Sequence, residues 1–409
     1  MVSLDIDYVR QQFPAFKSDL HRDKIFFENA GGSHMCHQVI DRLNTYYHNF
    51  RIQPYYPNEV SLSAGKMMDE AYSSLALWLG SPSSTVYFGP STSQNTYVLA
   101  NAMSEWLNRG DEIIVTNQDH ESNSGVWRKL SKQGIIVKEW QVNRASGSLD
   151  IDDLKSLITE RTKLLTFPHC SNILGEVNPV KEICVLAKLN DIYTVVDGVS
   201  YAGHGLPNVS DLGCDVYLFS LYKVFGPHLG VMVIQSDIAS ILSNQGHYFN
   251  AALREKRLMP SGPDHAQIAA VKGVIHYFED VFRHHFGEAP FDAEALKALF
   301  KNAEKEPLTK LLDYFVNHKN VTIIGPQSPN NRAPTISILV KNKIPFELAK
   351  KLGELNVLCG AGHFYSVRLL EAMGVSPQTG VLRFSLLHYN TSSEVDNAIK
   401  AIDYTINDK

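Results

Sequence analysis

What the chain lacks narrows its function first. No apolar stretch approaches the roughly 20 residues that a membrane-spanning helix needs. Lysine- and arginine-rich runs are missing and the formal net charge is -5, so no groove for a nucleic-acid backbone is expected. Cysteine is scarce: Cys36, Cys170, Cys184, Cys214 and Cys359 are odd in number and form no CxxC pair. Such a set argues against a disulfide framework and a thiolate metal site, and predicts reduced thiols. The pair His284-His285 reads as a solvated helix end rather than a metal site. The opening residues, MVSLDIDYVRQQF, carry acids and no continuous apolar core, so no secretory signal is expected in them. Internal repeats and low-complexity tracts are absent as well. Together these absences predict a cytoplasmic protein that binds no metal, no membrane and no nucleic acid.

What is present is ordinary globular material: 409 residues, 44% hydrophobic and 20% charged, enough for a sizeable core and about two domains. Short apolar runs alternate with helical periodicity. Strands are expected near Lys24–Glu28, Thr85–Gly89, Asp111–Thr116, Ile135–Trp140, Thr162–Phe167, Tyr193–Val196 and Val216–Phe219. Helices are expected between them, the one after Pro90 running from Asn95 to Leu107. That alternation predicts an α/β fold with a mostly parallel, doubly wound sheet. A long helical element from Asp264 to Phe282 suits a link between domains. Beyond it a second, smaller α/β pattern begins, with helices Ala293–Phe300 and Pro307–His318 and strands at Val321–Ile324, Thr335–Val340 and Val381–Ser385. The expected division is an N-terminal segment 1–24, a large domain 25–265, a linking helix 266–290 and a small C-terminal domain 291–409. Gly360-Ala361-Gly362 only half resembles a dinucleotide fingerprint, since the third glycine and the following acid are missing.

Chemistry collects at the strand ends. Asn29, Thr92, His120, Asn172, Asp197 and Ser220 each follow a predicted strand, and ligands of open α/β sheets sit beyond those carboxyl ends. One rim of one sheet therefore carries the polar residues. The stretch Tyr193–Ile234 is the richest: one apolar run stops at Asp197-Gly198, and a second ends in Ser220 with Lys223 just behind. A carboxylate and a lysine at two such ends are what pyridoxal phosphate requires, as partner for the pyridinium nitrogen and as Schiff-base lysine. Each has a plainer reading alone, a helix cap for Asp197 and a surface charge for Lys223. Pro90-Ser-Thr-Ser-Gln94 opens a helix either as a cap or as an anion site for a phosphate monoester.

With these residues assembled, the chain resembles the class V aminotransferases of fold type I, in their cysteine-desulfurase-like branch. Five anchors stand in order: GDEIIVTNQDHES at 110–122, SNILGEVNPVKEI at 171–183, VVDG at 195–198, SLYKVFGP at 220–227 and LRFSLLHYNTSSEVD at 382–396. The resemblance runs from about residue 26 to residue 399. It implies a large domain with a seven-stranded type of sheet, a smaller C-terminal domain, pyridoxal 5'-phosphate as cofactor, and a homodimer with shared active sites acting on an amino acid. It further implies that Lys223 forms the Schiff base and shuttles the Cα proton, that Asp197 holds the pyridinium proton, and that His120 lies over the ring as a candidate acid or base. By the same resemblance Asn172 bonds the ring's phenolic oxygen, while Thr92, Ser93, Ser200, Ser220 and Tyr222 complete the cofactor contacts. Ser261, in Pro260-Ser-Gly-Pro263, falls where a partner chain's hydroxyl meets the phosphate. Arg383 is expected to clamp the substrate carboxylate, with Ala30, Gly31 and Tyr365 alongside it.

The departures from the family pattern bear on the reaction. Tyr365 stands where desulfurases carry the cysteine that takes up sulfur, Tyr222 replaces the usual histidine before the lysine, Ser200 replaces a glutamine, and Gly360 an arginine. Cys359 lies earlier, on the strand side of the loop, and Cys170 beside the Asn172 rim. The expected chemistry is therefore desulfurase-like C–S or β-lyase action without a protein persulfide. Transamination or epimerisation is the alternative, and a catalytically idle cofactor-binding scaffold a third.

Overall fold

The computed structural model describes residues 2–407. Among the described residues thirteen strands occur, numbered in chain order: β1 (Ile25–Phe26), β2 (Val86–Gly89), β3 (Glu112–Thr116), β4 (Ile136–Trp140), β5 (Thr162–Pro168), β6 (Tyr193–Asp197), β7 (Val216–Ser220), β8 (Gly230–Ile234), β9 (Val321–Ile324), β10 (Thr335–Val340), β11 (Val357–Leu358), β12 (Gly360–Gly362) and β13 (Val381–Ser385). Seven of them form the large sheet in the order β2-β8-β7-β6-β5-β3-β4. β3 to β7 pair in parallel, whereas β8 runs antiparallel to both its neighbours. The central strands are written as unbroken apolar runs because helices cover both faces: Val195, Val196, Leu218 and Phe219 are all fully buried.

Helix Thr92–Ser104 begins three residues earlier than its apolar periodicity suggests, because the Ser91 hydroxyl caps it by accepting from Gln94 N–H. The expected link Asp264–Phe282 is two consecutive helices, His265–Ala270 and Lys272–Phe286. The expected helices on either side of Pro307 are instead one helix, Ala293–Asn317. Proline removes one hydrogen bond there. The helix continues because Leu296, Leu299 and Phe300 before it, and Leu308, Leu311 and Phe315 after it, are all buried.

β9, β10, β12 and β13 make a four-stranded sheet, antiparallel throughout, in the order β12-β13-β10-β9. β1 pairs in parallel with β11, so the first strand is stitched to the C-terminal part of the chain and not to the large sheet. Further ties hold the N-terminal residues: Arg10 bridges to Glu394 at 2.9 Å, and His284 stacks on Tyr8 while meeting Asp5 Oδ2 at 2.9 Å. The histidine pair is thus a packed helix end. Among the described residues no helix is long and apolar enough to cross a membrane, and no group of three or more His, Cys, Asp or Glu could hold a metal.

Candidate active site

Five of the six residues expected on the rim stand on the large sheet's strand ends, whereas Asn29 follows β1, which belongs to another sheet. Thr92, His120, Asn172, Asp197, Ser220 and Lys223 line one cavity, and Asn29 lines a small extension behind Lys223. Asp197 closes β6 and is buried; its Oδ1 accepts from Val199 N–H at 2.9 Å. Burial raises its pKa, which the Val199 N–H and Lys223 oppose. A carboxylate so placed gains from a cationic N–H brought against it. Lys223 ends the short turn after β7. Burial, then the Arg383 charge, lowers its pKa to about 8, with Asp197 and Glu28 pulling the other way. A lysine amine in that state is a usable nucleophile near neutrality.

His120 caps helix Glu121–Arg128, its Nδ1 accepting from Ser122 N–H. Burial first, then Lys223 and Arg383, depress it to about 3, so its imidazole is neutral. At the opposite end the buried hydroxyls of Thr92 and Ser220 share a hydrogen bond of 2.6 Å at the N-terminus of helix Thr92–Ser104. Ser93 and Ser200 line the same end. β8 lies hard against this turn: a Cβ on Gly230 would come within 2.4 Å of the Ser91 carbonyl carbon and 2.6 Å of Thr92 N. Only glycine leaves that helix N-terminus where it is. Hydroxyls and free N–H groups at a positive helix end suit a phosphate.

These residues fit pyridoxal phosphate: an anion cradle at one end, a buried carboxylate for the ring nitrogen, a histidine beside the ring's place, and an amine with a lowered pKa. Tyr222 lines the cavity and stacks on His228, rings 5.0 Å apart. Asn172 lines it too, but its side chain also ties down a loop, Nδ2 donating to Phe364 O at 3.0 Å and Oδ1 accepting from Ser366 Oγ at 2.7 Å. Ser261 is exposed and does not line this cavity.

An outer cavity of about 570 Å³ adjoins the first and contains Ala30, Gly31, Tyr365 and Arg383 together with Lys223 and His120. Arg383, in the middle of β13, is buried with its guanidinium 3.7 Å from the Phe364 ring centroid. Its Nη1 donates to Asn172 O at 3.1 Å and its Nη2 to Glu28 Oε1 at 2.9 Å. The loop above it bends through two consecutive left-handed aromatic residues, Phe364 (φ 46°) and Tyr365 (φ 58°). Residues of that shape pay for such backbone with about 1–3 kcal/mol each. Hydrogen bonds offset it, from Asn172 to Phe364 O and from Glu121 N–H to Tyr365 O at 2.8 Å. An ion pair between Arg368 and Glu121 anchors the far side. Tyr365 is 67% exposed and its ring stands 5.3 Å from the His120 ring.

The thiols stand apart from this chemistry. Cys36, Cys170, Cys184 and Cys214 are buried and Cys359 partly so. Burial holds Cys170 and Cys359 up at about 12, so neither is a thiolate at neutral pH. Glu28, His228, Gln118 and Glu121 line the cavities without having stood out in the sequence. Glu28 ends the expected strand Lys24–Glu28 immediately before Asn29, so the strand-end rule reaches it, although β1 itself stops at Phe26; His228 carries no comparable signal.

Comparison with known proteins identifies the family and the fold. The family described as "Aminotransferase class-V" matches residues 25–251 and 293–398. The aminotransferase-like protein FGM3 of Gibberella zeae is 32% identical over 418 residues, covering 99% of each chain. A cysteine desulfurase of Yersinia pseudotuberculosis is 25% identical over 421 residues, covering 98% of each. Among solved structures, the apo cysteine desulfurase of Thermococcus onnurineus NA1 superposes with a TM-score of 0.87 at 22% identity, over 99% of both chains. At that identity the likeness speaks for the fold.

Proposed function

The chain belongs to the class V aminotransferase family and depends on pyridoxal phosphate, and on that premise we propose a β-lyase of the desulfurase-like kind, acting on an amino acid without a protein persulfide. The observation that carries this reading is the loop over the outer cavity: an exposed tyrosine, Tyr365, stands at its tip, and the nearest thiols, Cys359 and Cys170, are held protonated. The cofactor supplies a carbonyl that captures the substrate amine and a ring that accepts electrons from Cα.

Lys223 holds the cofactor and then, its amine freed, takes the proton from the substrate Cα. The leaving group departs from Cβ with the bonding electron pair. Asp197 keeps a proton on the ring nitrogen. His120, neutral, covers the ring and keeps water from that face. Thr92, Ser93, Ser200 and Ser220 bind the phosphate, Asn172 and Tyr222 flank the ring, and Arg383 orients the substrate carboxylate with Ala30, Gly31 and Tyr365 around it. We also place the working unit as a homodimer in which Ser261 of one copy reaches the phosphate of the other. The exposed rings of Tyr55, Tyr56, Tyr248 and Phe249 are the apolar surface such pairing would cover.

The test is sulfide and pyruvate release from L-cysteine by cofactor-loaded protein, with and without a thiol reductant. Sulfide with pyruvate, independent of reductant, is expected. Turnover that requires reductant would overturn the reading in favour of a persulfide. Absence of sulfide would favour the second reading, transamination, which the name of the Gibberella relative supports.

A further inference from the structure

Arg383 already holds a carboxylate, and it is the protein's own. Glu28 Oε1 lies 2.9 Å from Nη2. Its seat is carved for it: a Cβ on Gly31 would fall 2.6 Å from Oε1, and one on Gly360 would fall 3.0 Å from the same atom. The backbone adds a turn that brings Glu28 to this place, since Gly31 N–H donates to Glu28 O at 2.9 Å and Glu28 bridges to Ser385 beside Arg383. Three kinds of donor nitrogen are available on the guanidinium. Nη1 is used by Asn172 O, Nη2 by Glu28, and Nε is buried without a partner.

A bidentate carboxylate needs two adjacent donors. The Nε/Nη2 edge is the one that holds the unpartnered nitrogen, and Glu28 already sits on its Nη2 end. A substrate carboxylate that takes the Nε/Nη2 edge therefore meets Glu28 on the nitrogen it needs. Nη2 has a second N–H to offer, but two carboxylates held against one nitrogen repel each other, and the buried Arg383 side of the pair screens that repulsion poorly.

We propose that Glu28 is a specificity-determining residue, a resident carboxylate that occupies the Arg383 seat and must be displaced by the carboxylate of the incoming amino acid. Binding is then an exchange of one carboxylate for another. An amine without a carboxylate leaves the Glu28–Arg383 pair closed and gains nothing from the clamp. The pair also keeps Arg383 neutralised while no substrate is bound, so stray anions must compete for it. The proposal rests on the reading of Arg383 as the carboxylate clamp.

The experiment uses two reagents that attack the bound cofactor alike and differ in one group: aminooxyacetate, which carries a carboxylate, and methoxyamine, which does not. Loss of the visible cofactor band gives a half-saturating concentration for each, and their ratio is the carboxylate advantage. In Glu28→Gln the advantage should rise roughly tenfold, since one competing charge-assisted contact is removed, while any change at Lys223 from the lost Glu28 charge acts on both reagents and cancels in the ratio. Gly31→Ala, which pushes the Glu28 carboxylate off its seat and leaves its charge in place, should shift the ratio in the same direction and guards against a folding defect in the first variant. An unchanged or reduced advantage in both variants would overturn the proposal and make Glu28 a mere support of Arg383. Arg383→Ala separates the two readings: it should bring the ratio close to one, and if the ratio there stays at the wild-type value it is the clamp itself that fails.

Discussion

The two halves of the site are built by opposite means. Lys223, Asp197, Thr92 and Ser220 stand at or beside the ends of buried strands, where neighbouring backbones leave little room to move. Apart from Arg383 on β13, the residues that meet Lys223 in the outer cavity hang on a turn and a loop: Glu28 beside glycines, and Phe364-Tyr365 in left-handed backbone fastened by Asn172 and Glu121. The first half is a rigid holder for a cofactor. The second is a set of adjustable contacts over the reacting atoms, and substitutions there can change the reaction without touching the holder. That is the pattern expected when function varies on loops placed by a constant scaffold.

The sharpest way to break this contrast is Lys223→Ala. Turnover should fall by about 10³-fold or more, in the range of a lost general base, and the visible band of the lysine-bound cofactor should vanish. A surviving band would remove Lys223 from its role. Arg383→Ala should raise KM for a carboxylate-bearing substrate by about 10- to 100-fold, the worth of a charge-assisted hydrogen-bond pair, and leave cofactor retention within about twofold. Equal loss of both would mean that the two halves are one.

Loading of cofactor-free protein tests the holder through pH. With its pKa lowered to about 8, the Lys223 amine is roughly a tenth unprotonated at pH 7, against well under ~0.1% for an ordinary lysine. The loading rate should therefore climb about tenfold per pH unit below 8 and level off above it. A rate still rising steeply at pH 10 would show an unperturbed amine. The smallest effect belongs to Cys359→Ser, where turnover should stay within about twofold, the size of a surface-like change. A loss of more than tenfold would bring the thiol back into the mechanism.

The same contrast explains what could be read from residues alone. Strands buried on both faces write unbroken apolar runs, and each run stops at a polar residue, so the rim from Thr92 to Ser220 was legible along with the parallel sheet. Pro307 misled because a proline signals a helix end locally, whereas its helix is held by apolar contacts on either side. Phe364 and Tyr365 gave no hint of left-handed backbone, since aromatic residues advertise burial or stacking and not turn geometry. Glu28 was invisible as a partner of Arg383 for a simpler reason. Nothing short-range connects two residues so far apart in the chain.

That distance, 355 positions between Glu28 and Arg383, sets an order of events when the protein is made. At about 5–20 residues per second, roughly 20–70 s pass between the appearance of one and of the other. Every strand of the large sheet has been synthesised by Ile234, with Lys223 and Asp197 already in it. The strand Ile25–Phe26, by contrast, waits for Val357–Leu358 before it has anything to pair with. The residues at the strand ends of the large sheet are thus all synthesised before Arg383 and the Phe364-Tyr365 loop exist to complete the outer cavity.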